Sequence, residues 1–192
     1  MGDPNKLFGR YQEVTLLFLG FLLTTVVGGF LGAWFQARSW AHEHSIQVCE
    51  SEKAVAIKGF DTLSDLMDTR LLRMRQLAWK LESAGTLADV EVERKNNSYA
   101  RDEWSKQLNK NLAFAQRYFG DHARNMLEGD ISDGFIRIYG EFNDLMKASK
   151  PDRSVAQKIE NDIDSFNPTI YGFDLDVVQT IADGKLGKCS VP

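Results

Sequence analysis

Cysteine, proline and histidine are scarce in this chain, and each scarcity excludes something. Two cysteines, Cys49 and Cys189, cannot form the dense disulfide framework of a small secreted domain, and their paucity favours a reducing compartment. Three histidines leave little material for a metal centre. No proline falls between Pro4 and Pro151, so nothing in that interval forbids helix. No stretch alternates apolar and polar residues for long enough to build a sheet. There is no glycine-rich phosphate loop, no CxxC, no HExxH and no G-x-S-x-G, so no cofactor and no metal is expected. Positive charge is in deficit: 23 Lys and Arg stand against 27 Asp and Glu, a net charge of −4. Residues 1–13 balance Lys6 and Arg10 against Asp3 and Glu13, so the deficit lies in the chain beyond residue 37. That argues against a broad nucleic-acid surface.

Charge is missing altogether from Val14 to Ala37, which reads VTLLFLGFLLTTVVGGFLGAWFQA. As a helix these positions make a rod of roughly 36 Å, enough to cross a hydrocarbon core of about 30 Å. The expectation is one transmembrane helix and a lipid-bilayer partner. A cleaved signal peptide has a shorter apolar region and small residues at its cleavage site, whereas Trp34, Phe35 and Trp40 stand here. A buried helix of a soluble protein would show a polar stripe. Met1-Gly2 opens like a myristoylation signal, but Lys6 stands where Ser or Thr is needed.

Within the span Gly20, Thr24, Gly28, Gly32 and Gln36 recur at every fourth position, and Thr25, Gly29 and Ala33 form the neighbouring ridge. Small residues at this spacing let helix backbones approach closely in lipid. Gly20, Thr24, Gly28, Gly29, Gly32 and Ala33 are therefore the expected seam of a homo-oligomer. If the assembly encloses a lumen, Thr24, Thr25 and Gln36 would face it. Tyr11 on one side and Trp34 and Trp40 on the other are suited to the membrane interfaces. Lys6 and Arg10 flank one end of the span and Arg38 the other, nearly in balance. With the sparse cysteines, this leads to the expectation of an inner-membrane protein with its remaining domain in the cytoplasm.

The boundaries read from the chain are a tail over 1–13, the transmembrane helix over 14–37 and a helical domain over 38–192. The span is expected to continue as a helical stalk. Phe60, Leu63, Met67, Leu71, Met74, Leu77 and Leu81 step by three and four, the signature of a buried helix face. Asn96-Asn97-Ser98 reads as a turn or a helix cap. Trp104, Leu108, Leu112, Ala115 and Phe119 line a helix that ends near Gly120. Asp121 to Leu127 reads as a short piece closed by Glu128-Gly129-Asp130. A further helix carries Phe135, Ile138, Phe142 and Leu145. After Pro151, Val155, Ile159, Ile163 and Phe166 face inward until Asn167-Pro168 ends that helix, and a last helix covers Leu175 to Ala182. The fold class is all-α: one N-terminal transmembrane helix extended into a stalk, followed by a four- or five-helix bundle.

Two clusters bear on chemistry. His42, His44, Cys49 and Glu50 lie close in sequence, but on a helix only His42 and Cys49 share a face, which is too few ligands for a metal. Arg117 and His122 have R-x4-H spacing, which resembles the signature of HEPN ribonucleases. That resemblance would make both residues catalytic in a paired all-helical domain. Arg38 and His44 fit the same spacing beside the span, and Tyr118 stands where the family often has a polar residue.

The segment FLLTTVVGGFLGAWFQARSW followed by a charged helix resembles bacterial small membrane proteins with one N-terminal span and a helical domain. One span, a helical domain and a degenerate R-x4-H together resemble the membrane accessory protein of type VI-B CRISPR systems. That resemblance implies a pore or assembly platform in antiviral defence. The alternatives are a membrane-tethered module that binds a protein partner without catalysis, and a membrane-tethered ribonuclease.

Overall fold

The structure, a computed structural model, describes residues 4–148 and 152–186; within this range the side chains of residues 4–19, 22, 23, 26, 27, 41, 42 and 45 lie outside the described set. The described backbone is helical almost throughout, with no strand. Four α-helices follow one another: α1 (Pro4–Ser83), α2 (Glu91–Asn125), α3 (Ser132–Met146) and α4 (Arg153–Ala182). A 3-10 turn, Leu87–Val90, leads into α2, and a π turn, Met126–Ile131, joins α2 to α3.

Helix α1 opens on Pro4, at the position where a missing N–H costs nothing. It continues without a break past Ala37. Contacts divide the chain into two units, Met1–Glu50 and Ser51–Pro192, so residues 38–50 group with the first unit. Among the described residues no helix is long and apolar enough to cross a membrane. Much of the apolar surface behind that expectation, Leu16, Leu17, Leu22 and Val26 included, lies outside the described side chains.

In the second unit the end of α1 supplies the core with Phe60, Leu63, Met67, Leu71, Met74, Leu77 and Leu81, all buried as their spacing requires. Trp104 of α2 and Phe135 of α3 have ring centroids 5.2 Å apart. Along one straight helix they would be separated by roughly 46 Å, so the chain must reverse between them. It reverses at Gly120, whose φ of 87° and ψ of −176° break the helix. That backbone region is open essentially to glycine alone. Phe135 meets Phe166 of α4 at 5.2 Å. Ser64 of α1 donates to the Asp174 carboxylate of α4 at 3.0 Å, and Arg75 pairs with Asp164 at 2.8 Å. Neighbouring helices run antiparallel: Arg70–Asn97 and Glu52–Arg117 join α1 to α2, Arg101–Tyr139 adds to Trp104–Phe135 between α2 and α3, and Glu141–Lys158 adds to Phe135–Phe166 between α3 and α4. The unit is a four-helix bundle with one main core and a small second cluster of Ala56, Tyr118 and Leu186.

Several local expectations are corrected. Asn96-Asn97-Ser98 lies inside α2, not at a turn. Glu128-Gly129-Asp130 does not close a helix, because the π turn carries the backbone through these residues into α3. Pro168 does not end α4. Its ring sits on the exposed face, and the buried positions Ala156, Ile159, Ile163, Phe166, Ile170, Phe173 and Val177 step by three and four across it. The hydrogen bond lost at the proline is outweighed by that continuous seam. Ala156, not Val155, faces the core, and Leu175 to Ala182 is the end of α4 rather than a separate helix.

Cys49 is disulfide-bonded.

Candidate functional site

Arg117 and His122 meet different partners within the chain. Arg117 precedes the break at Gly120 and His122 follows it. The Arg117 guanidinium donates to both carboxylate oxygens of Glu52 on α1, at 3.0 and 3.2 Å, and lies 5.0 Å from the Tyr118 ring centroid. His122 Nε2 instead faces Asp176 of α4 at 3.8 Å. Both side chains are largely exposed. Each is held by a different helix, and the pairs read as surface ion pairs of small energetic weight.

In the first unit the threonine hydroxyls bond to their own helix. Thr24 Oγ1 donates to the carbonyls of Gly20 at 2.7 Å and Phe21 at 3.1 Å, and Thr25 Oγ1 donates to that of Phe21 at 2.7 Å. This back-bonding satisfies a hydroxyl without outside help. A Cβ added at Gly20, Gly28, Gly29 or Gly32 would meet no atom within 4 Å. The Arg38 guanidinium lies 5.4 Å from the Trp34 ring centroid, and Trp40 stacks on His44 at 5.3 Å. Ala33, Trp34, Gln36 and Trp40 are exposed. The side chains of Tyr11 and His42 lie outside the described residues. No cluster of three or more metal-binding side chains occurs among the described residues.

A buried guanidinium beside a cleft, at Arg70, was not read from the sequence. Arg70 of α1 is 2% exposed. It falls three residues after Met67 and four before Met74, on the core-facing stripe. Its Nη1 donates to the backbone carbonyl of Asn97 at 2.9 Å and to Asn97 Oδ1 at 3.2 Å. Its guanidinium carbon lies 5.8 Å from the Phe135 ring centroid and 5.9 Å from that of Tyr139. Nε is buried without a hydrogen-bond partner. Burial, with Arg101 nearby, pushes the Arg70 pKa down to about 10.

Arg101 of α2 stands beside it. It lies 4.7 Å from the Tyr139 ring centroid, donates to the Tyr139 hydroxyl, and pairs with Asp102 at 2.7 Å. Between them is a cleft of about 100 Å³ lined by Arg70, Arg101, Trp104, Ser105, Phe135 and Tyr139, among others, with no carboxylate in its lining. A charged residue at a core position of an amphipathic helix was the available sequence signal.

No family model matches this chain, and neither a curated protein nor a solved structure resembles it.

Proposed function

We propose that the chain is a single-span membrane protein that self-associates through residues 14–37 and presents a four-helix module. The carrying observation is the uninterrupted helical backbone of α1 through the uncharged stretch. A 24-residue uncharged helix has few stable environments other than a bilayer. The back-bonded Thr24 and Thr25 and the aromatic belt of Trp34, Phe35 and Trp40 suit that setting. The ridge of Gly20, Gly28, Gly29 and Gly32 has open space over it for a second copy. On this reading the assembly is a pore or a platform, and Arg117 and His122 are surface residues of the module. A plain anchor bearing a protein-binding bundle is the second reading, favoured if the protein is a monomer.

Light scattering on the detergent-purified protein, corrected for bound detergent, tests this. A defined oligomer is expected, and Gly28→Leu with Gly32→Leu should lower its mass by at least half. A monomeric wild type, or an unchanged mass in the double variant, would remove the seam.

The disulfide at Cys49 supports placing the helical module on the oxidising side of the membrane, opposite to the sequence expectation. Protease added to sealed right-side-out vesicles should then digest the module, while inverted vesicles protect it. The reverse pattern would place the module in the cytoplasm.

A further inference from the structure

We propose that the cleft between Arg70 and Arg101 is a binding site for a small oxyanion, a carboxylate or phosphate group carried on a compact body. The inference is independent of the membrane reading.

A guanidinium taken out of water needs compensation, and the usual compensation is a carboxylate. Arg70 has none. Its direct hydrogen-bond partner is Asn97, ring faces of Phe135 and Tyr139 lie near it, and its Nε–H is unsatisfied. The nearby Asp102 carboxylate is taken by Arg101 through Nε and Nη2, at 3.0 and 2.7 Å, and Asp102 does not line the cleft. Two cations therefore border a cavity that contains no anion of the protein's own.

The shape agrees with the charge. A water needs about 10–15 Å³ of such space, so a cleft of about 100 Å³ has room for a small molecule. Arginine presents donors in a planar fork that matches a carboxylate or a phosphate edge. Ser105 adds a hydroxyl on the rim, and Trp104 and Phe135 supply an apolar wall for the body of the guest. Burial of Arg70 beside the rings of Phe135 and Tyr139 lowers the local dielectric and strengthens its hold on an anion.

Titration calorimetry on full-length protein in detergent, at constant ionic strength set with chloride, tests the proposal. The probes are sodium benzoate and, separately, inorganic phosphate. Saturable binding of one probe per chain is expected. Benzoate alone would assign a carboxylate guest, phosphate alone a phosphate guest, and both a general oxyanion site. Arg101→Gln, at a partly exposed position, should weaken binding at least tenfold, with Arg101→Lys recovering part of the loss. Ser105→Phe, at an exposed position, should fill the cleft and abolish binding without removing a charge. No saturable binding of either probe would overturn the site, as would binding left unchanged by both Arg101→Gln and Ser105→Phe.

Discussion

Phe135→Ala should cost the helical module about 3–5 kcal/mol, the range for emptying a large aromatic from a packed core. Phe135 is 2% exposed and is the ring on which three helices converge. Trp104 of α2 meets it edge-on at 5.2 Å and 69°, and Phe166 of α4 at 5.2 Å and 78°. The Arg70 guanidinium of α1 lies 5.8 Å from its centroid. Each aromatic pair is worth about 0.5–1.5 kcal/mol beyond the area it buries. Against a typical domain stability of about 5–15 kcal/mol, the loss would lower the melting temperature by on the order of 10 °C. Thermal unfolding followed by circular dichroism checks it. Phe135→Leu, which keeps most of the volume, should lose far less. If Phe135→Ala melted within a degree or two of wild type, the bundle would not be organised around this ring.

Gly134→Ala should also destabilise the module, although alanine in an exposed helix interior gains up to about 1 kcal/mol over glycine. An added Cβ would lie 2.2 Å from Phe166 Cε2, 2.7 Å from Cζ and 2.8 Å from Cδ2. Phe166 is 6% exposed and edge-on against Phe135, so the ring cannot step aside without disturbing the core. Overpacking of this kind costs about 1–3 kcal/mol. The net expectation is a loss of up to about 2 kcal/mol after the helix-propensity gain is subtracted. The same substitution in a Phe166→Leu background should cost less, because the atoms it strikes are gone, and the double-mutant cycle measures that coupling. A Gly134→Ala protein more stable than wild type would mean that α3 and α4 separate easily here.

The stripe of α1 from Phe60 to Leu81 and that of α3 from Phe135 to Leu145 were legible in the sequence and are buried in the structure. So was the stop at Gly120, where only glycine fits the backbone. Pro168 misled because a proline is read locally, as a lost hydrogen bond and a clash. The inward positions on both sides of it keep step, and tertiary burial of that seam holds the helix through it. Glu128-Gly129-Asp130 misled similarly, since turn-forming residues do not break a helix that packing holds on either side.

By itself the sequence determined the all-helical class, the uncharged stretch from Val14 to Ala37, most inward faces and the helix end near Gly120. These are properties of local periodicity, charge and backbone freedom, which act within a few residues along the chain. Only the tertiary structure decided what became of Arg70, Arg101, Arg117 and His122. A charged side chain is solvated or buried according to what stands opposite it. For Arg70 that is Asn97, 27 residues away, with Phe135 and Tyr139 on another helix. For Arg117 and His122 it is Glu52 and Asp176 on two different helices. Spacing along one helix carries no information about such partners, so R-x4-H did not foretell that its two residues meet different helices, nor that a lone arginine on an apolar stripe lines a cleft.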